Sequence, residues 1–267
     1  MTRLSIQLAA NKAANRKSLV TFITAGDPDL GMSLKLMHSL VAAGVDVIEL
    51  GVPFSDPMAD GPVIQRASER AVANGVGING VLQLVRDFRA TNTTTPVVLM
   101  GYANPIEHMG QAEFIQEAVK SGVDGALIVD YPPEESIGFA QQASDAGLNV
   151  IYLVAPTTTE ARMVSTARAA SGFIYYVSLK GVTGAGNLDV EAVKNQVAKL
   201  REHTNLPITV GLGISGAASA WAVSDVADGV VIGSKLITLV ETALKEGTDA
   251  VQVVNDWVAD VRTALDA

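Results

Sequence analysis

Two carboxylates, Glu49 and Asp60, stand in a segment whose residue types suit chemistry better than simple connection. The segment reads ELGVPFSDPMADGP, and the run before it, VDVI at 45–48, is typical of a buried β-strand. Glu49 is therefore predicted at the end of an apolar strand, where a carboxylate is unfavourable unless it is used. Prolines and glycines stiffen the loop that carries Asp60. Acidic loops above strand ends are candidate active sites, and carboxyl groups there are candidates for proton transfer.

These acids also have structural interpretations that the sequence leaves open. A lone carboxylate at a strand end, such as Glu49, is usually part of an ion pair. Asp56 lies between Ser55 and Pro57, a setting in which an aspartate can simply fix a turn. Spacing alone does not show that Glu49 and Asp60 meet, since their separation of eleven positions can span about 36 Å when the chain is extended.

Glycine-rich segments suggest where an anion could bind. The stretch 178–186 reads SLKGVTGAG, which suits a mobile lid better than a packed turn. The stretches GLGISG at 211–216 and IGS at 232–234 resemble phosphate loops. Gly213 and Gly233 can bring backbone N–H groups to an oxyanion, and helices that start near 216 and 234 would add the positive ends of their dipoles.

These segments need a scaffold, and the pattern of apolar runs indicates one. Short β-branched runs alternate with helix-like stretches, which implies a parallel sheet because each crossover helix returns the chain to the same end. Eight such units in about 250 residues point to a single (β/α)8 barrel domain over 1–267. The runs begin near Leu19, Asp46, Pro96, Gly125, Asn149, Phe173, Pro207 and Gly229.

A doubly wound open sheet would show the same alternation. Its dinucleotide fingerprint should follow the first strand, but that turn reads AGDPD at 25–29 and lacks the required spacing. The first eighteen residues carry four cations and no acid, as transit peptides do, but their apolar spacing favours a short helix. The predicted fold class is thus α/β, a (β/α)8 TIM barrel with an extra N-terminal helix and additional helices in the βα loops.

Composition limits the function further. The formal net charge is −9 and no cluster of lysine and arginine stands out, which argues against nucleic-acid binding. The chain has no cysteine, so disulfides and thiolate chemistry are excluded and a cytoplasmic location is expected. His38, His108 and His203 have no second ligand at metal spacing, so no metal site is predicted.

Taken together, these loops resemble the tryptophan synthase alpha subunit family. The resemblance runs essentially from end to end, and the segments after the second and sixth strands are its specific ones. The segments that carry it are TFITAGDPD, IELGVPFSDPMADGPVIQ, LMGYANPI, GALIVDYPPEE, YLVAPTT, YYVSLKGVTGA, VGLGIS and VIGSKL.

The resemblance implies retro-aldol cleavage of indole-3-glycerol phosphate to indole and glyceraldehyde 3-phosphate, with no metal or organic cofactor. That reaction needs an acid to protonate indole C3, a base for the adjacent hydroxyl, and stabilisation of positive charge at the ring nitrogen. The family implies Glu49 as the proton-transfer residue, and its apolar position suggests a raised pKa. Asp60 is expected to stay ionised and to accept the indole N–H.

Residue by residue, the resemblance also implies a substrate pocket. Thr183 would hydrogen-bond Asp60 when the lid closes, which links closure to catalysis. Many family members have an arginine where Leu179 stands and an aromatic residue where Leu212 stands, so lid order and packing can differ here. The implied substrate-binding positions are Phe22, Met100, Leu127, Tyr175, Thr183, Gly184, Gly211, Leu212, Gly213, Ile214, Gly233 and Ser234.

The family also implies a partner, a pyridoxal-phosphate β subunit that receives indole within an αββα assembly. The implied interface residues are Pro53, Asp56, Asn104 and Pro132. Two alternatives stay open: a stand-alone indole-releasing lyase, which should work fast without a partner, and a non-catalytic subunit that binds the phosphate ligand to regulate its partner. The presence of both Glu49 and Asp60 speaks against the second.

Overall fold

A computed structural model describes residues 2–177, 190–211, 214 and 216–267. Within these residues, the predicted β-branched runs form parallel strands, and each begins within one residue of the predicted position. The fifth run forms two short strands on either side of Ile151, whose N–H donates to the Ala126 carbonyl of β4 at 2.9 Å. The strands are β1 (Ser18–Thr24), β2 (Val47–Gly51), β3 (Val97–Gly101), β4 (Gly125–Ile128), β5 (Asn149–Val150), β6 (Tyr152–Val154), β7 (Ile174–Val177), β8 (Ile208–Gly211) and β9 (Gly229–Ile232).

The strands form one sheet that nearly closes on itself. Its order is β5-β4-β3-β2-β1-β9-β8-β7-β6, and every pairing is parallel. Since β5 and β6 are the two halves of one interrupted strand, the two edges of the sheet meet at Ile151 and the sheet has eight staves. The predicted (β/α)8 barrel is thereby confirmed, and the open-sheet alternative is wrong.

Helices surround the sheet, and several βα connections contain two of them, as predicted. A large apolar cluster fills the space between the outer face of the barrel and the helices. None of the helices in the described ranges is long and apolar enough to cross a membrane. The helices are α1 (Arg3–Ala13), α2 (Leu30–Ala42), α3 (Pro62–Ala73), α4 (Ile78–Arg89), α5 (Ala103–Met109), α6 (Gln111–Ser121), α7 (Ile137–Asp145), α8 (Glu160–Ala169), α9 (Val190–Arg201), α10 (Ala217–Ser224), α11 (Ser234–Glu246) and α12 (Ala250–Leu265).

A second apolar cluster fills the barrel itself. Seven staves each contribute one side chain to it, because alternate residues of a strand point to the same face. Leu4 and Leu8 of α1 join this cluster at the amino ends of the strands, so the extra N-terminal helix plugs that end of the barrel. The side chains from the staves are Val20, Val47, Val98, Leu127, Ile151, Phe173 and Val231.

Ion pairs tie the same end of the barrel together. Asp46, just before β2, is buried and contacts the guanidinium groups of Arg16 and Arg262, the latter at 3.2 Å. Arg262 lies on α12 and also pairs with Asp266 at 2.6 Å. The C-terminal helix is thereby joined to the amino ends of β1 and β2, and the carboxyl ends of the strands are left for the site.

Candidate active site

Glu49 lies inside the barrel rather than at a strand end. It is two residues before the end of β2 and points to the same face as Val47, so the expectation that the strand ends at Glu49 is wrong. Glu49 is 1% exposed, and its Oε1 has no hydrogen-bond partner in the described part of the chain. Burial, with a smaller contribution from the charge of Asp60, raises the pKa of Glu49 to about 8. Near neutrality Glu49 therefore carries a proton.

Asp60 lies at the end of the loop after β2 and is held by Tyr102. The Tyr102 hydroxyl donates to Asp60 Oδ2 at 2.8 Å and accepts from the Ala59 N–H at 3.1 Å. Burial raises the pKa of Asp60, whereas the hydrogen bond from Tyr102 opposes that rise. The bond from Tyr102 thus favours the ionised form that the resemblance implies, but burial is the larger effect and the pKa of Asp60 stays raised.

A cavity opens at the carboxyl ends of the strands, and Gly51 of β2 lines it whereas Glu49, two residues earlier, does not. Asp60 lines it together with Phe22 and Met100, two of the predicted pocket residues. Leu127 is fully buried one layer deeper, inside the barrel cluster, and does not line the opening. The residues that line the cavity are Phe22, Thr24, Gly51, Val52, Asp60, Ile64, Ser68, Met100, Gly101, Tyr102 and Val129.

Sequence reasoning missed Thr24 and Tyr102. Thr24 is buried at the end of β1, and its hydroxyl finds no partner among the described residues. Tyr102 follows β3 directly, in the quoted segment LMGYANPI, and its position after a strand was the available signal. Neither residue is acidic, so a search for charged groups passed over both.

Two aromatic rings at this end rest against strand glycines. A Cβ at Gly51 would come within 2.6 Å of Phe22 Cζ, and a Cβ at Gly211 would overlap the ring of Tyr175. Gly211 is the last residue of β8, and the structure explains this glycine by the close approach of Tyr175. The charges of Glu49 and Asp60 help to raise the pKa of Tyr175, after burial, so its phenol stays neutral near neutrality.

The expected phosphate side lies at the starts of α10 and α11. Gly216 and Gly233 are the N-cap residues of these helices, as the sequence predicts, and Ser234 is the exposed first residue of α11. Ile214 is 4% exposed and packs in the outer apolar cluster, so its side chain is not available to a ligand. The predicted residues Thr183, Gly184, Leu212 and Gly213, and the departure at Leu179, lie outside the described residues.

The residues predicted to face a partner differ in accessibility. Asp56 and Asn104 are exposed and Pro132 is half-buried, but Pro53 is buried. Pro53 therefore supports this loop from the protein interior and is not accessible to a partner. Met58 and Ile137, which the sequence reasoning did not select, are 78% and 66% exposed beside these positions in the chain. Single exposed apolar side chains are common on protein surfaces, so these two residues alone do not define an interaction surface.

In the described part of the chain, no group of three or more histidine, aspartate or glutamate residues could hold a metal ion. His38 packs against Phe88, and His203 lies 3.6 Å from Glu160. The contacts of these two histidines are therefore those of structural residues.

The fold and the buried pair of carboxyl groups define the class: a TIM-barrel protein with a candidate acid–base site at the carboxyl ends of its strands. Within that class the family is also clear, because a family profile described as "Tryptophan synthase alpha chain" matches residues 8–265. The chain belongs to the tryptophan synthase alpha chain family.

Named relatives and solved structures agree with that assignment. The tryptophan synthase alpha chains of Cupriavidus pinatubonensis and Ralstonia nicotianae are each 57% identical over 267 residues, which is the full length of both chains. The crystal structure of the alpha subunit from Legionella pneumophila strain Paris is similar with a TM-score of 0.94 at 44% identity, covering 100% of this chain and 99% of that one. A Mycobacterium tuberculosis tryptophan synthase in its aminoacrylate-bound form is similar with a TM-score of 0.87 at 31% identity, covering 99% and 100% of the two chains.

Proposed function

We propose that the chain cleaves indole-3-glycerol phosphate to indole and glyceraldehyde 3-phosphate. The observation that carries this proposal is the state of Glu49, an acid that is buried inside the barrel, two residues before the cavity-lining Gly51, and has its pKa raised to about 8. A carboxyl group that is neutral near pH 7 can deliver a proton to carbon, which an ordinary ionised glutamate cannot.

In this proposal the two carboxyl groups have different roles. Glu49 donates its proton to indole C3 while Asp60 accepts the ring N–H, which becomes more acidic as positive charge develops. The Glu49 carboxylate then takes the proton of the adjacent hydroxyl as the carbon–carbon bond breaks, so that the aldehyde forms and Glu49 regains its proton. Asp60 is suited to its role because Tyr102 holds one of its oxygens at 2.8 Å and leaves the other free for the ligand among the described residues.

The phosphate of the substrate would bind at the start of α11. Gly233 and Ser234 are accessible there, and the helix runs for 13 residues behind them, so its positive end faces the ligand. No metal or organic cofactor has a step in this scheme, since proton transfer and charge stabilisation suffice. Pyridoxal phosphate is expected only in a partner β subunit.

We also propose that the chain works in an αββα assembly in the cytoplasm. The exposed residues Asp56, Met58, Asn104 and Ile137 belong to the segments that follow β2, β3 and β4, and they include the polar and apolar types that interfaces combine. Partner contact at Asp56 and Met58 would act directly on the loop that carries Asp60.

The test is indole release from indole-3-glycerol phosphate by the wild-type chain and by Glu49→Gln, each with and without a tryptophan synthase β chain. Loss of the acid should lower kcat by about 10² to 10⁴-fold. Glu113→Gln, which changes an exposed acid on α6, is the control and should keep wild-type turnover.

Three other outcomes have distinct meanings. Full turnover by Glu49→Gln, with intact binding of a glycerol phosphate, would contradict the role of Glu49. Fast turnover by the wild type without a β chain would favour the stand-alone lyase. Ligand binding without indole release in the presence of the β chain would favour the regulatory subunit.

A further inference from the structure

An ionic cluster on the outer side of the barrel joins three separate segments at the carboxyl ends of the strands. Arg70 donates two hydrogen bonds to Asp27, from Nε at 2.7 Å and from Nη2 at 2.8 Å. Its third nitrogen, Nη1, donates to Glu241 at 2.7 Å. Arg66 reaches the same glutamate at 3.1 and 3.3 Å. The planar guanidinium of Arg70 is thus held by two carboxylates at once.

Each joined segment carries part of the candidate site. Asp27 lies in the turn after β1, three residues beyond Thr24, which lines the cavity. Arg70 is on α3, which begins directly after Asp60 and Gly61. Glu241 is on α11, whose first residue follows Gly233. Arg70 therefore connects the wall of the cavity, the carboxylate segment and the expected phosphate helix.

Helix α3 in turn holds the loop that carries Asp60. Gln65 Nε2 donates to the carbonyl oxygen of Asp60 at 2.9 Å, which fixes the backbone of this residue to the first turn of the helix. The Ser68 hydroxyl donates to the Phe54 carbonyl at 2.9 Å and accepts the Phe54 N–H at 2.8 Å. Any shift of α3 would consequently move Asp60.

A small apolar cluster lies beside these ionic contacts. Phe22, Ala67 and Ile237 come from β1, α3 and α11, the same three regions that Arg70 joins. Apolar contacts of this kind hold helices together but resist sliding poorly, because dispersion and burial are not directional. The fork of Arg70 supplies direction, since two oxygens of Asp27 and one of Glu241 each require one nitrogen in place.

We propose that Arg70 is a positioning residue for the reaction, and that its bridge from Asp27 to Glu241 sets where α3 places Asp60 relative to the phosphate end of α11. This inference rests on the function proposed above. Its consequence is that loss of the fork lowers kcat strongly and changes the free energy of unfolding only slightly.

A matched ion pair at the other end of the barrel shows what a purely structural arginine would do. Arg89 of α4 contacts the buried Asp124 at 2.8 Å, just before β4, and its side chain is 10% exposed. The side chain of Arg70 is 37% exposed. On burial alone, Arg89 should matter more than Arg70 for stability, because exposed pairs contribute little.

The experiment compares Arg70→Lys with Arg89→Lys, since lysine keeps the charge but cannot reproduce the fork. For Arg70→Lys we expect kcat to fall about tenfold, with KM within about twofold of wild type, because a small misplacement of a reacting group has large kinetic effects. For Arg89→Lys we expect a larger decrease in the denaturant midpoint and an unchanged kcat. Hydrogen exchange provides a readout independent of activity: the amides of 58–65 should exchange faster in Arg70→Lys only.

Two results together would overturn the inference. The first is a kcat loss in Arg70→Lys that is no larger than that in Arg89→Lys, and the second is equal amide exchange at 58–65 in the two variants. A rise in KM alone would also contradict it, because that would place the effect on ligand binding. If the wild type releases no indole with a β chain, the proposed function fails. The exchange arm then still decides whether Arg70 holds the Asp60 segment, and equal exchange refutes that too.

Discussion

At the scale of single residues, the unusual feature is a glutamate that folds in its neutral form. Glu49 leaves water almost completely, and Oε1 finds no partner among the described residues. Folding therefore favours its protonated state, which is the state proposed for proton delivery. The same burial that equips Glu49 for chemistry makes the folded chain sensitive to pH.

This sensitivity gives a prediction with a definite sign. The pKa of Glu49 rises on folding from 4.5 to about 8, so between these values the native state keeps a proton that the unfolded state releases. Stability from this group is complete below pH 4.5 and is lost as the pH rises to about 8, with a slope of about 1.4 kcal/mol per pH unit. Glu49→Gln should remove that slope. Urea unfolding of both proteins from pH 5 to pH 9 measures the difference.

The control is again Glu113→Gln, whose stability should follow the wild-type curve across the range because this side chain faces water. Parallel curves for Glu49→Gln and the wild type would show that Glu49 does not fold in its neutral form.

At the scale of elements, α1 has an unusual duty for a first helix. It closes the amino end of the barrel with Leu4 and Leu8, while the groups proposed to react lie toward the carboxyl ends of the strands. Stability and chemistry are thereby placed at opposite ends, as is usual for this fold.

We expect Leu4→Ala to reduce the free energy of unfolding by about 2 to 5 kcal/mol, because Leu4 is 0% exposed and its removal leaves a cavity against Phe173 and Ile151. Ile6→Ala, on the same helix but at a position that is 54% exposed, should change stability by less than about 0.5 kcal/mol. Denaturant unfolding measures both, and kcat/KM should stay unchanged in each. Equal losses, or a fall in kcat/KM for Leu4→Ala, would contradict the separation of the two ends.

The elements were largely predictable because their signals are local. Each β-branched run marked a strand to within one residue, and the apolar spacing of residues 4 and 8 marked α1. The division at Ile151 carries no local signal, since its neighbours are as apolar as those of an undivided strand. It marks where the pairing passes from β4 to β7, which is a property of the assembled sheet.

At the scale of the whole molecule, the last helix is fastened to the first strands through a buried carboxylate. Asp46 accepts from the Leu19 N–H at 2.8 Å as well as from Arg262, so it joins β1, β2 and α12 at one point. Removing a partner from a buried charge is costly even where the intact pair adds little net stability.

Arg262→Met should therefore lower the free energy of unfolding by roughly 3 kcal/mol, with Arg16 left as the remaining ionic partner of Asp46. Arg201→Met breaks a pair with Asp228 at 3.0 Å in which the arginine is 45% exposed, and it should cost less than about 1 kcal/mol. Thermal and denaturant unfolding compare the two. Similar losses would mean that burial of Asp46 is not what makes Arg262 important.

The candidate site shows what long-range folding adds to a sequence. Glu49 could be selected because an acid interrupts an apolar run, and Asp60 because it follows in a stiff loop. The bond from Tyr102 to Asp60 spans 42 positions and that from Arg70 to Glu241 spans 171, and no local pattern encodes either. The roles of the predicted residues stay predictions until the variants above are measured.

The glycines beneath the two aromatic rings constrain how this site can change over evolution. Phe22 occupies the space that a side chain at position 51 would need, and Tyr175 occupies the space that one at position 211 would need. Substitutions within each pair are therefore coupled. A larger residue at either glycine would meet the tip of its ring, so it is tolerated only when that ring moves or becomes smaller. Changes at each glycine are therefore coupled to changes of its ring, and a survey of single substitutions would find both glycines sensitive because of this packing as well as any contact with a ligand.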